Sequence, residues 1–115
     1  MALTEAEKMK RERAMGVLLE KHRPPAHLRS EVDIAIRLDD RSVEVVEIRP
    51  RWDQPKEKIE RSVAKATYVR SQDIWKVFWT KRDLKWHRYD PAPKVRSLEE
   101  FAQLVREDRH ACFFG

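Results

Sequence analysis

Apolar residues in the first 23 positions are sparse and gather late, with Val17, Leu18 and Leu19 following an isolated Met9. Helical spacing accommodates them, and Thr4 with Glu7 three residues on is the signature of a capping box. The stretch "EKMKRER" is polar nearly all round. Pro24 and Pro25 end the helix, because proline donates no backbone hydrogen bond and restricts its predecessor. The period then changes from helical to alternating. In "VDIAIRL", Val32, Ile34, Ile36 and Leu38 fall on one side and Asp33, Ala35 and Arg37 on the other, the pattern of a half-buried strand. "DDR" turns the chain into a second strand, "SVEVVEIR". Its adjacent Val45 and Val46 break the alternation and predict a bulge or burial on both faces.

"PRWDQPKEK" reads as a loop punctuated by Pro50 and Pro55. Residues 63–69 read as a third strand, "RSQD" as a turn and "IWKVFWT" as a fourth strand. In that strand Trp75, Val77 and Trp79 share one face, and Lys76, Phe78 and Thr80 the other. "KRDL" turns into "KWHRY", where Lys85, His87 and Tyr89 lie opposite Trp86 and Arg88, and "DPAPK" closes the sheet region. Ser97 and Glu100 form a second capping box, followed by the apolar stripe Leu98, Phe101, Leu104 and Val105. The apolar tail "HACFFG" is expected to pack back on the body. The expected architecture is therefore α+β. A helix over residues 1–23, an antiparallel meander of about five strands over 32–90 and a helix over 97–108 make one domain of residues 1–115.

Composition sharpens this picture in two places. A charged fraction of 39% is high, but a clustered hydrophobic fraction of 41% argues for a folded chain. The net charge of +5 is unevenly spread: residues 51–96 hold 13 lysines and arginines against 6 acids, a local net of +7 in the aromatic-rich middle. A local positive field attracts polyanions. The lone Cys112 forbids an internal disulfide and fits a reducing compartment. No apolar run is long enough to span a bilayer, and the N-terminus lacks a secretory pattern, so a cytoplasmic protein without a membrane partner is expected.

Catalytic patterns are thin. Metal-dependent nucleases of the restriction-endonuclease-like superfamily place an Asp ahead of Glu-x-Lys, the carboxylates holding a cation and the lysine steadying water. Here Asp39 or Asp40 precedes Glu47-Ile48-Arg49, and the arginine cannot take the lysine's acid–base role. His22 and His27 straddle two prolines, and His110 with Cys112 would need distant partners to make a zinc site. With Gly16 the sole internal glycine, there is no phosphate-cradling loop. No cofactor is expected, and the patterns favour a non-enzymatic role over an enzyme without deciding between them.

The basic–aromatic stretches carry the functional expectation. "WKVFWTKRDLKWHRYD" interleaves three tryptophans with cations, and "IRPRWDQPK" places Arg51 and Trp52 in a proline-bounded loop. Aromatic faces can stack on bases while neighbouring cations meet phosphates. The same rings can equally serve sheet packing. The candidate binding residues are Arg51, Trp52, Lys76, Lys85, His87 and Arg88.

At "VEIRPRWD", "VAKATYVRSQDIWKVFWTKRDLKWHRYDP" and "CFFG" the chain resembles a family of small bacterial proteins described as a domain of unknown function. The resemblance runs from about residue 24 to residue 115 and rests on the Glu-x-Arg-Pro-x-Trp, Lys-Trp-His-Arg-Tyr and Cys-Phe-Phe-Gly segments. It implies a compact bacterial cytoplasmic domain and supplies no activity. The expected function is a non-enzymatic module that binds DNA or RNA through a basic–aromatic sheet surface. The alternative is a homodimer or protein-interaction module using a sheet edge or Phe113 and Phe114. A metal-dependent hydrolase at Asp40, Glu47 and Arg49 stands third.

Overall fold

In the computed structural model, residues 4–28, 31–81, 83–109 and 112–113 are described, with the backbone alone at Val17, Lys21 and His22. The elements run α1 (Glu5–His22), a 3-10 turn (Ala26–Leu28), β1 (Asp33–Leu38), β2 (Ser42–Pro50), β3 (Lys58–Val69), β4 (Ile74–Thr80), β5 (Trp86–Arg88), β6 (Lys94–Val95) and α2 (Leu98–Glu107). The strands form one antiparallel sheet in the order β1-β2-β3-β4-β5, with β6 pairing β4 on the same side as β5. This is the α+β meander with two flanking helices that the pattern predicts.

Both helices cover one face of the sheet. From α1, Ala14, Met15 and Leu18 are buried, and from α2, Leu98, Phe101, Ala102 and Val105. They meet Ile34, Val43, Val45, Ala64, Ala66, Trp75 and Val77 in one core. Ala64 and Ala66, small and central, let α2 approach β3 closely. The N-cap half of each predicted box is formed: Glu7 N–H donates to Thr4 Oγ1 at 3.1 Å and Glu100 N–H to Ser97 Oγ at 3.2 Å, while the Glu100 carboxylate accepts the Arg96 N–H one residue before the cap. The two N-cap contacts satisfy amides that the helix itself leaves orphaned. The buried face of α1 is in part the expected one: Leu18 is buried and Leu19 packs on the core, but Met9 is exposed and Ala14 and Met15 are buried instead; the side chain of Val17 lies outside the described residues. Residues 4–10, at the start of α1, are all exposed, so an apolar residue there contributes nothing to the core.

The irregularity predicted at Val45 and Val46 is present, but the surplus residue is on the partner strand. Val45 faces Ala64 and Val46 faces Ser62, which leaves Val63 unpaired on β3. The bulge lets Val63 and Ala64 both join the core. The tail folds back as expected at Phe113, whose ring lies 4.8 Å from that of Tyr89. Asp108, in a left-handed conformation, ends α2, and its carboxylate accepts the Phe113 N–H at 3.1 Å. Phe114 and Gly115 lie outside the described residues.

Candidate functional site

Register assigns each strand residue to a face. Trp75 pairs with Val95 and Tyr68, and Trp79 with Ala64 and His87; these point toward the helices. Their neighbours on β4 point away. Lys76 faces Lys94 and Thr67, Phe78 faces Lys65 and Arg88, and Thr80 faces Trp86. No described element covers this outer face.

The outer face is electrically divided. On β1 and β2 and the first half of β3, Arg37 is held by Glu60, and Glu44 accepts from Ser62 Oγ at 3.0 Å. From Lys65 onward the strands carry Lys65, Lys76, Arg88 and Lys94, with Phe78 and Trp86 among them. Lys65 Nζ lies 4.6 Å from the Trp86 ring centroid and 5.4 Å from that of Phe78, so an ammonium sits between two rings. Lys76 and Lys94 are direct cross-strand partners, and neither has an ion pair among the described residues. Like charges directly opposite destabilise a sheet. Arg88 pairs with Asp90 at 2.9 Å, both well exposed, a contact worth little in water.

A depression of about 250 Å³ opens among Lys76, Phe78, Arg88, Pro93 and Lys94. It exists because β5 and β6 both pair with β4 while the chain between them loops out. Tyr89 N–H donates to the Val77 carbonyl and Val77 N–H to the Pro93 carbonyl, each at 3.0 Å. These two bonds pin both ends of the loop to one residue of β4. Pro91 and Pro93 then stiffen the segment between them.

Of the six residues expected from sequence, Lys85 is exposed just before β5, and the other five separate into three places. Lys76 and Arg88 lie on the outer face, at the depression. His87 faces the helix side, opposite Trp79, and its Nε2 lies 2.9 Å from Asp83. Asp83 also accepts the Lys85 N–H at 3.0 Å, and that bond and His87 hold its carboxyl below the usual range. Arg51 and Trp52 sit in the β2–β3 loop. The Arg51 guanidinium donates to both oxygens of Asp53, at 3.0 and 2.7 Å, and to Glu57 at 2.7 Å. Its backbone N–H donates to the Glu57 carbonyl. Arg51 is the pin of this loop, and Trp52 beside it is 94% exposed. Sequence reasoning passed over Lys65 and Lys94 as binding residues. The signal for Lys65 was its place between Ala64 and Ala66, which demand the core and turn it outward. Nothing in "DPAPK" announced that Lys94 would pair.

The residues of the hydrolase expectation are not gathered. Asp39 is a turn residue whose carboxylate accepts from Arg41 N–H, Ser42 N–H and Ser42 Oγ. Asp40 is exposed in the same turn, while Glu47 binds Arg49 further along β2. Five residues of strand between Ser42 and Glu47 amount to roughly 17 Å. No cluster of three or more metal-ligating side chains occurs among the described residues. His27 is exposed, while the His22 side chain and all of His110 lie outside the described residues. Burial and Asp108 push the Cys112 thiol up, against Lys81. A thiol so placed is a poor nucleophile. No helix among the described residues is long and apolar enough to cross a membrane.

The fold and this face define a small α+β domain whose sheet is covered on one side and presents cations and rings on the other. The family model described as Domain of unknown function (DUF3024) matches residues 3–115, and the chain belongs to that family. The match takes in α1 as well as the segment from residue 24 onward. No curated protein and no solved structure matches the chain.

Proposed function

We propose that the protein is a non-enzymatic nucleic-acid-binding module that meets the phosphate backbone with the outer face of β3–β6. The observation that carries this reading is the Lys76–Lys94 pair, two cations placed side by side with no ion pair to an acid among the described residues. Such a pair costs stability when empty and is neutralised by a bound phosphate. Lys65 and Arg88 extend the positive strip, and Phe78 and Trp86 add stacking surface. Lys76 and Arg88 remain from the set expected by sequence; Lys65 and Lys94 join them. Counterion release makes such binding steeply salt-dependent. Replacing Lys76 and Lys94 together by Ala is expected to lower the slope of log affinity against log salt by about 1.4 for a single strand, at about 0.7 per lost phosphate contact. Fluorescence anisotropy with a labelled oligonucleotide measures it. An unchanged slope overturns the reading.

A protein partner is the second reading, favoured by a different observation. Trp52 at 94% and Ile59 at 50% exposure lie on the β2–β3 hairpin at one end of the sheet, and Leu84 at 73% in the turn after β4, which stops beside Ser62 short of that end. Phe113, by contrast, is buried against Tyr89 and is not offered to a partner. A homodimer through that end predicts a doubled mass in solution that Trp52→Ala abolishes and salt leaves unchanged.

A further inference from the structure

Resting on the nucleic-acid reading, we propose that the depression beside Phe78 takes one unpaired nucleobase, so that this face selects single strands over duplexes. Phe78 has Lys65 on its β3 side and the depression on its β5–β6 side. A cation lies against the ring from the β3 side, and the ring lines the depression together with Arg88, its partner on β5. Pro93 is the other apolar residue of its lining. A volume of about 250 Å³ falls below the usual range of pockets for larger ligands and suits a single base. Every base has a π face, so stacking on one ring gives affinity without sequence choice.

The charges stand where a base in the depression would need them. Lys76 and Lys94 flank one end and Arg88 the other. Phe78 and Lys76, two residues apart on β4, are separated by roughly 6–7 Å. A base on Phe78 thus leaves its backbone within reach of long, flexible cations on either side. Asp90, the partner of Arg88, lies at the exposed rim, and Arg88 is free to exchange that weak contact for a phosphate. A duplex keeps its base faces stacked inside and shows only their edges in the grooves. It can meet the lysines but cannot fill the depression. The walls are preformed, because the Tyr89–Val77 and Val77–Pro93 backbone bonds fix both ends of the loop.

The test compares three labelled probes at low salt: a thymidine oligonucleotide, the same strand with abasic sites, and a duplex of equal length. The thymidine strand is expected to bind at least about fivefold tighter than the abasic strand, the loss of one stacked base. Phe78→Leu, which keeps apolar bulk without a π face, is expected to erase that difference. Phe78→Trp is expected to keep it. Circular dichroism and the urea midpoint establish that each variant is folded. If the duplex or the abasic strand binds as tightly as the thymidine strand, the base site is overturned while the phosphate-binding face stands. If no probe binds even at low salt, both readings fall together.

Discussion

The two faces of β4 differ in burial and charge, although they alternate within "IWKVFWT". Trp75 and Val77 are buried and Trp79 packs on the same core, while Lys76 is exposed and Phe78 lies half-buried on the open side. Tryptophans and lysines that look like one basic–aromatic cluster in the sequence are therefore two sets with different tasks. Trp75, tilted at 45° against Tyr68 with ring centroids 5.0 Å apart and Arg11 above it, is a core residue with a polar lid. Trp86, beneath Lys65, is a surface residue. Composition alone cannot separate them; the pleat does.

The strongest way to break this contrast is to truncate one ring on each face. Trp75→Ala is expected to cost about 3–5 kcal/mol, the usual loss for a large buried aromatic. Phe78→Ala, half-buried on the open face, is expected to cost less, about 1–3 kcal/mol, since part of the ring stays wet and its loss leaves no sealed cavity. Urea denaturation of the two variants decides the matter. Equal losses would mean that the outer face is as much a core as the inner one, and the binding assignment would lose its footing.

How far these faces were legible depends on the residues concerned. Alternation in β1 and β4 was plain, because β-branched and aromatic residues repeat at every second position. The first half of β3 was not, since "KIERS" has no apolar rhythm. Its pairing with Arg49 and Pro50 is imposed by the hairpin, which Arg51 closes by gripping Asp53 and Glu57. That grip, made between residues two and six apart, depends on a loop conformation no periodicity encodes. It also explains why Arg51 looked like a free phosphate contact. The absence of glycine from the turns was legible, and its consequence is seen in Asp73 and Leu84, both at positive φ. The short β6 was illegible for another reason: two residues become a strand only because β4 offers unpaired backbone beside the end of β5.

A sharper measure of the outer face uses Asp39 as a reporter of its charge. Burial pulls the Asp39 carboxyl up, but the hydrogen bonds from Arg41 and Ser42 and the positive charge of Lys65 outweigh it, leaving the group below its ordinary value. A carboxyl whose pKa is lowered on folding stabilises the protein above its unfolded value of about 3.9. That contribution is lost as pH falls through the lower, folded value. Lys65→Met keeps the stem over Phe78 and Trp86 but removes the charge. The Asp39 pKa is then expected to rise toward its ordinary value, so that Asp39 contributes less stability at neutral pH and its acid loss becomes smaller. Carboxyl NMR titration of Asp39 follows it. A pKa that does not move would show that the field of Lys65 is already quenched at the surface.

The smallest effect carries an unusual sign. Most surface substitutions leave stability within about 0.5 kcal/mol, and truncation seldom improves it. Lys76→Ala and Lys94→Ala are each expected to stabilise the free protein, by a few tenths and up to about 0.5 kcal/mol, because each relieves the cross-strand repulsion. The double variant is expected to gain less than the sum, since the first truncation already removes the repelling pair. High salt is expected to shrink the gain, as it screens exposed charges. The same substitutions on the inner face, where there is no repulsion to relieve, have only packing to lose. A double-mutant cycle by urea denaturation, at low and high salt, reads the coupling directly. Coupling of zero at low salt would mean that the two ammonium groups avoid one another in solution, and the stability cost attributed to the empty site would vanish.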